Sequence, residues 1–430
     1  MNPLTTLVWF RRNLRLADNT VLQAAVQQGL PVVGVVVCPQ PSEIANQRQA
    51  VFMRRSAAAL SPALVAHNVP LYLIRGHAET EIPALVQHIH AASVWADEGY
   101  TPSEILSDNR IWRQLDAMGI PFARCNDRTV FAKAEIADEY GQPYRTFAPY
   151  RQAWLQRYAA QFDGWRPSEH AAFAPVQTAW SGLLPPLPDW VSSGDGQSMA
   201  VPLGGEAVAW AQWDKFSAEL NVYPLLKDFP SRKATSQLSV YLSAGCLSAR
   251  MLAQRAHAAG AQAWLDNLIR RDFACQRAFH TQTDGAEHLP AADTWFVQRW
   301  QQGRTGFPLI DAAMRCLRDS GWLHPTLRTL VAEFWCRTLA QPWQAGAAWF
   351  AEQQTDNDEA LNRANWQQAA AQIQTANPVV RSQQLDPDAT FIRRYVPELA
   401  HLPQDFVHTP WLAGSDADTH GYPPPLVPPR

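Results

Sequence analysis

Thr235-Ser236-Gln237-Leu238-Ser239 gathers three hydroxyls where a helical pattern begins, so O–H groups and free backbone N–H groups converge on one spot. Such a helix start is a cradle for an anion, phosphate above all. Taken alone, ordinary N-capping explains the run, and its meaning rests on its company. Asp356-Asn357-Asp358 sets two carboxylates at a spacing that serves a metal ion, a ribose diol or an arginine, or simply a solvated loop. Gly321-Trp322-Leu323-His324, followed by Arg328, puts an aromatic and a cation near a presumed helix start; a core tryptophan and a surface arginine account for them equally well. Close to the N-terminus, Arg11, Arg12 and Arg15 are placed to meet an anion or an acidic neighbouring domain, although solvated or structurally paired arginines are the plainer account.

Other chemistry is missing. The chain has no Walker A loop, no H-E-x-x-H, no G-x-S-x-G and no kinase set, so hydrolase and NTPase readings lose their support. The turn Trp9-Phe10-Arg11-Arg12-Asn13-Leu14-Arg15-Leu16 lacks a glycine fingerprint, which argues against a dinucleotide there. Cys38, Cys125, Cys246, Cys275, Cys316 and Cys336 form no C-x-x-C pair; they read as buried thiols rather than as a zinc, iron–sulfur or disulfide framework. A net charge of −3 means that nucleic acid would require a local basic patch. The longest apolar run, Leu30 to Cys38, is less than half of the roughly 20 residues that span a bilayer. With no secretory signal pattern at the N-terminus, a cytoplasmic protein with no membrane partner is expected.

These residues need elements to position them. At 430 residues, two domains are expected, and 47% apolar against 17% charged residues allows large buried cores. Residues 1–130 alternate β-branched runs (Thr6–Phe10, Val32–Cys38, Leu71–Ile74, Ser93–Ala96, Pro121–Arg124) with helical patterns (Asn19–Gln28 capped by Asp18, Arg48–His67, Glu79–His90, Ser103–Met118). That alternation predicts a doubly wound α/β domain with a parallel sheet. Residues 131–205 read as a connector, on the strength of Pro167, Pro175, Pro185, Pro186, Pro188 and Ser192-Ser193-Gly194-Asp195-Gly196. Residues 206–415 are helical in pattern; Leu309, Ile310, Ala313, Met314 and Leu317 share one face between Pro308 and Gly321. Residues 416–430 form a short Pro-rich tail (Pro423, Pro424, Pro425, Pro428, Pro429). The 18 tryptophans exceed what packing ordinarily needs and suggest aromatic work of another kind.

Several stretches agree, in order, with one family. Val8 to Asn19, Pro143-Tyr144-Arg145-Thr146-Phe147-Ala148-Pro149-Tyr150, Thr235 to Ser239, Thr305 to Arg315, Gly321 to His324 and Phe391-Ile392-Arg393-Arg394-Tyr395 resemble the photolyase/cryptochrome family over nearly the whole chain. The resemblance implies FAD, held in a U shape by the helical domain. Thr235, Ser236 and Ser239, with Gln237 and Leu238 between them, would hold the pyrophosphate, and Tyr223 and Lys227 would lie alongside. Asp356 and Arg328 would pair beside the isoalloxazine, and Asp358 would face the ribitol or ribose. Trp264 and Trp322 would line the cofactor pocket, with Arg271 and His324 as further contacts. Asn362 takes the place next to flavin N5, where the family's photolyases carry Asn and its plant photoreceptors Asp. Trp366 and Trp343 match the first two members of a tryptophan relay; Trp295, Trp300 and Trp335 are the candidates for the third.

Where the family's cyclobutane-dimer photolyases carry a hydrogen-bonding Glu and a stacking Trp, this chain has Asn267 and Arg270. A second stacking Trp is replaced by Gln368, an Asn-Arg pair by Pro325-Thr326, and a Met by Thr329. The two histidines of (6-4) photolyases are replaced by Pro325 and Thr329, and the segment Gln367–Asn377 is short. Losing two stacking platforms forfeits roughly 2–6 kcal/mol, comparable with the cost of flipping a lesion out of duplex DNA. Arg270, with Arg393, Arg394 and Lys227, offers phosphate contacts instead, or is surface charge. The expectation is a cryptochrome-like photoreceptor, photoreduced through the relay and acting on a signalling protein. The alternative is an atypical photolyase acting on damaged single- or double-stranded DNA, and the bland third reading is an electron-shuttling flavoprotein. Glu104 matches a folate-contacting carboxylate, but Ser103 replaces the usual Asn, so an antenna of folate or deazaflavin type stays open, as does the oligomeric state.

Overall fold

Parallel strands need crossover connections, and a helix follows each of the first four strands. The computed structural model describes residues 4–162, 164–167, 200–280, 291–372, 377–414 and 418–429. Strands β1 (Thr5–Trp9), β2 (Val32–Cys38), β3 (Leu71–Arg75), β4 (Ala91–Asp97) and β5 (Phe122–Cys125) form one parallel sheet in the order β3-β2-β1-β4-β5. Helices α1 (Thr20–Val26), α2 (Gln47–Ala66), α3 (Ala78–His88) and α4 (Pro102–Ala117) are the crossovers. Central β1 is buried along its whole length, with Leu7 opposite Val33 on one side and Val94 on the other. A strand covered on both faces reads as a continuous apolar run, which is why its pattern was legible. The expected doubly wound fold is present, and its strands and helices begin and end within two residues of the expected positions.

One cap differs. Asn19, not Asp18, caps α1: its Oδ1 accepts from Leu22 N at 2.9 Å while its Nδ2 is anchored on the Asn13 and Arg15 carbonyls. Asp18 sits at φ 49° and turns instead to Ser248 Oγ and Arg250 Nε.

The chain divides into two compact units, Met1–Ala218 with Ser236–Thr283, and Glu219–Thr235 with Asp284–Arg430. Of residues 131–205, read as connector, 168–199 lie outside the described residues; this takes in Pro175, Pro185, Pro186, Pro188 and Ser192 to Gly196.

In the first unit the carboxyl ends of β1 and β4, where such sheets admit ligands, carry a network of ion pairs. Arg11 reaches Asp97 Oδ1 (3.1 Å) and the Asp97 carbonyl, and also Asp108 (2.6 Å). Arg15 pairs with Asp127 at 2.6 Å, and Arg250 bridges Asp127 (3.1 Å) to Asp18 (2.9 Å). Arg12 donates to Ser243 O, and Arg15 to Gly245 O. The three N-terminal arginines are therefore structurally paired. Gly245, at φ 71°, allows this approach, because a Cβ there would overlap the Arg12 carbonyl. Helix α5 (Phe147–Phe162) packs against the helix Gln262–His280, with Trp154 Nε1 donating to buried Asp272 at 3.0 Å. Burial raises the Asp272 carboxyl to about 6.

The second unit is helical. Its core includes Leu309, Ile310, Ala313, Met314 and Leu317, all buried on the helix Pro308–Ser320, which Gly321 ends in a left-handed conformation. The tail returns to this core: Tyr422 OH donates to Asp311 at 2.5 Å, and Leu426 N to the Thr305 carbonyl. Four cysteines are buried; Cys125 and Cys336 are only partly so, and none of the six forms a disulfide. Among the described residues, no helix is long and apolar enough to cross a membrane.

Candidate functional site

In the second unit, Gly321 turns the chain so that its carbonyl accepts from Thr355 N at 2.8 Å, which lays 321–324 beside 354–358. That contact brings Arg328, on the helix Pro325–Glu333, to Asp356: Nη2 meets Oδ2 at 2.7 Å while Nε donates to the Leu323 carbonyl at 2.8 Å. The Asp356 side chain is wholly buried and its Oδ1 has no hydrogen-bond donor among the described residues. Asp358 is buried as well, and caps the helix Glu359–Ala371 by accepting from Ala360 N and Leu361 N. Both carboxylates are built into the fold, which rules out the solvated loop. No metal-holding group of His, Cys, Asp or Glu occurs among the described residues.

His324 is buried and caps Pro325–Glu333, with Nδ1 accepting from Thr326 N at 3.3 Å. Only a neutral imidazole can accept there, and desolvation pulls its pKa down to about 4. Because the folded value lies below the ordinary 6.5, this group's contribution is present above pH 6.5 and lost as pH falls from 6.5 through 4. The urea midpoint of the wild type should therefore drop relative to that of His324→Asn between pH 7 and pH 4.5. Equal pH slopes in the two proteins would refute it. Asp272 and Asp311, both raised to about 6 by burial, run the opposite way and cancel in that difference.

Half-buried Asn362 donates from Nδ2 to the Ala347 carbonyl at 2.8 Å, and its Oδ1 takes no protein hydrogen bond among the described residues. One turn on, Trp366 is buried, while Trp343 opens the helix Trp343–Gln353 half-buried. Gly346 lets these helices close, since a Cβ there would clash with the Trp366 ring and lie 3.1 Å from Trp335 Cδ1. Gly346→Ala should destabilise by about 1–3 kcal/mol despite the better helix propensity of alanine, with a shift in tryptophan emission. An increase in stability would show that the rings yield freely. Of the candidates for a third relay member, Trp295 is 49% exposed, whereas Trp300 and Trp335 are buried. Trp322 is half-buried, edge-on to His324. Tyr223 is buried, Lys227 pairs with Asp228 at 3.1 Å, and Gln368 is exposed. Arg393 is held by the Asp388 and Leu402 carbonyls and by Gln404.

In the first unit Ser236 does not cap the helix that follows it. The helix is Ser239–Ala244, and its N-cap, Leu238, has no side-chain bond to offer. Gln237, at φ 54°, turns the chain so that Ser236 stands outside the cap; the Ser236 carbonyl accepts from Gln212 at 2.9 Å. Ordinary N-capping is thereby replaced. Trp264 is buried edge-on to Trp213 at 4.9 Å, and buried Arg271 donates to the Arg128 and Leu242 carbonyls. Asn267 and Arg270 are exposed on the same helix; Asn267 bonds back to the Trp264 carbonyl, and Arg270 lies 4.0 Å over the Phe147 ring. Glu104 caps α4 together with Thr101 and pairs with Arg128 and Arg12, which holds its carboxyl down at about 2 despite burial.

Sequence reasoning missed Asp127, Asp272, Gly346 and Trp349. Only the excess of tryptophan hinted at the last.

The chain thus joins a parallel α/β sheet to a helical unit that carries a buried Arg–Asp pair. The family model described as DNA photolyase matches residues 6–170, and the one described as FAD binding domain of DNA photolyase matches residues 252–429. The chain is 31% identical to the deoxyribodipyrimidine photo-lyase of Vibrio cholerae, across 94% of this chain and 92% of that one. A class III photolyase structure from Agrobacterium tumefaciens covers all of this chain and 95% of its own, at 27% identity and a TM-score of 0.83. A cryptochrome structure from Synechocystis does so at 100% and 97%, with 25% identity and a TM-score of 0.85. The chain belongs to the photolyase/cryptochrome family, and its cofactor is FAD. Its residues fit that cofactor: a buried carboxylate oxygen without a donor (Asp356) and an amide oxygen without one (Asn362) suit the N–H groups of a flavin, and Arg328 suits its carbonyls.

Proposed function

We propose that the chain is a blue-light photoreceptor of cryptochrome type, photoreduced through tryptophans and acting on a signalling protein in the cytoplasm. Bound FAD supplies blue-light absorption and the capacity to accept an electron. Arg328 and Asp356 fix the polar edge of the flavin. Thr235, Ser236 and Ser239, with Tyr223 and Lys227, hold the pyrophosphate; Trp264, Trp322 and Asp358 line the rest. Asn362 presents an oxygen that can hold a proton on the reduced ring, and Trp366 is the first electron donor.

The observation that carries this reading over repair is the character of the lesion-contact positions. Asn267 and Gln368 stand exposed where stacking and hydrogen bonding to a flipped dimer are needed, and Asn267 bonds to its own helix. Stacking is worth about 1–3 kcal/mol per base, and Arg270 and Gln368, in the places of the two stacking tryptophans, offer no indole ring for it. A second reading, atypical repair of damaged DNA, is favoured by Asn362 and by the Arg270–Phe147 pair, a cation stacked on an exposed-side aromatic that suits phosphate and base together.

The deciding experiment illuminates anaerobic protein, with FAD confirmed reduced, in the presence of cyclobutane and (6-4) lesions in single- and double-stranded oligonucleotides. Photoreduction without repair is the expected result; repair of any substrate would replace the photoreceptor reading with the second one.

A further inference from the structure

Trp366 has two ring neighbours among the described residues, Trp300 at 6.2 Å and Phe350 at 5.1 Å between centroids. Trp300 in turn lies 4.6 Å from Trp335 and 5.3 Å from Trp349. Trp300 and Trp335 are buried, and Trp349 is the half-buried member that reaches the surface. Trp343 packs against the same core but pairs with no aromatic ring in stacked or edge-on geometry among the described residues; the Arg363 guanidinium lies 5.8 Å over it.

We propose that the electron lost by Trp366 is replaced through Trp300 from Trp349, and that this branch, ahead of Trp343, is the main exit to solvent. The inference rests on the photoreduction reading above. One electron leaves Trp366 for the light-excited flavin. Trp300 refills Trp366 and Trp349 refills Trp300, so the one-electron hole ends on Trp349. The Trp349 radical cation releases its Nε1 proton to water, and an external thiol returns one hydrogen atom to the neutral radical; the thiyl radicals pair to a disulfide.

Three features favour this branch. The rings of Trp366, Trp300 and Trp349 succeed one another at contact distance, a continuity that Trp343 lacks. A hole on Trp343 is a positive charge beside the Arg363 guanidinium, and like charges repel. Finally, Trp300 Nε1 is buried without a hydrogen-bond partner among the described residues, and Trp335 Nε1 donates to the Pro342 carbonyl at 2.8 Å, which is no base. Neither buried indole can lose its proton, so the hole stays mobile until it reaches Trp349.

The test uses the full-length FAD-loaded protein. After illumination in air without thiol, peptide mass spectrometry maps oxidised tryptophan; with dithiothreitol under anaerobic conditions, flavin absorption follows photoreduction in Trp343→Phe, Trp349→Phe, Trp300→Phe and Trp366→Phe. Oxidation concentrated on Trp349, and a several-fold slowing by W349F and W300F that exceeds that of W343F, is expected. FAD-to-protein ratio and melting temperature check that each variant is folded. Oxidation on Trp343, with W343F the slowest of the three, overturns the branch while leaving photoreduction standing. Wild type that never photoreduces overturns the photoreduction reading, and the branch falls with it.

Discussion

Arg328→Met should release FAD and lower stability by about 3 kcal/mol, near the bottom of the range for stranding one partner of a buried ion pair. The low end applies because Arg328 is 22% exposed while the Asp356 side chain is fully buried, so the damage lies in the carboxylate left behind. Asp356→Asn, which removes the charge and keeps the shape, should cost less stability yet still weaken FAD retention. Arg328→Lys should not rescue: one guanidinium serves both Asp356 and the Leu323 carbonyl, and an ammonium lacks that fork. Urea midpoints with the FAD-to-protein absorbance ratio provide the check. A methionine variant with full cofactor and unchanged midpoint would mean that the pair neither holds flavin nor supports the unit.

Asp127→Ala should be at least as damaging, by about 3–5 kcal/mol, without touching any residue assigned to flavin. Asp127 is fully buried; it accepts from Arg15 at 2.6 Å, from Arg250 at 3.1 Å and from Thr20 N at 3.2 Å. Removing it leaves the buried Arg15 guanidinium with backbone carbonyls alone among the described residues, and Arg250 with the Asp18 carboxylate. A double-mutant cycle with Arg250→Met should show coupling, the pair being less harmful together than the separate losses predict. A loss below about 1 kcal/mol, the worth of one ordinary hydrogen bond, would place the network among dispensable contacts.

The two cases differ in how far the sequence pointed to them. Arg328 and Asp356 stood in recognisable stretches, and the resemblance paired them before any geometry did. Asp127 carried no signal, because its partners Arg15 and Arg250 are more than a hundred residues away on either side, and nothing local marks a buried acid. The reading of Thr235 to Ser239 as a capped helix start failed for a neighbouring reason: one left-handed residue, Gln237, moved the cap to Leu238.

By itself, the sequence determined the parallel sheet, the helical second half, the family and the FAD requirement. Those rest on hydrophobic periodicity and on short contiguous motifs, which are local properties of a chain. Tertiary structure alone decided which acid neutralises which arginine, that Glu104 belongs to a helix cap and two ion pairs, and that Trp366 meets Trp300 rather than the Trp343 ring. Such pairings are set by how packed elements cross. Burial makes each one strongly favourable or strongly costly, and burial is a property of the folded whole.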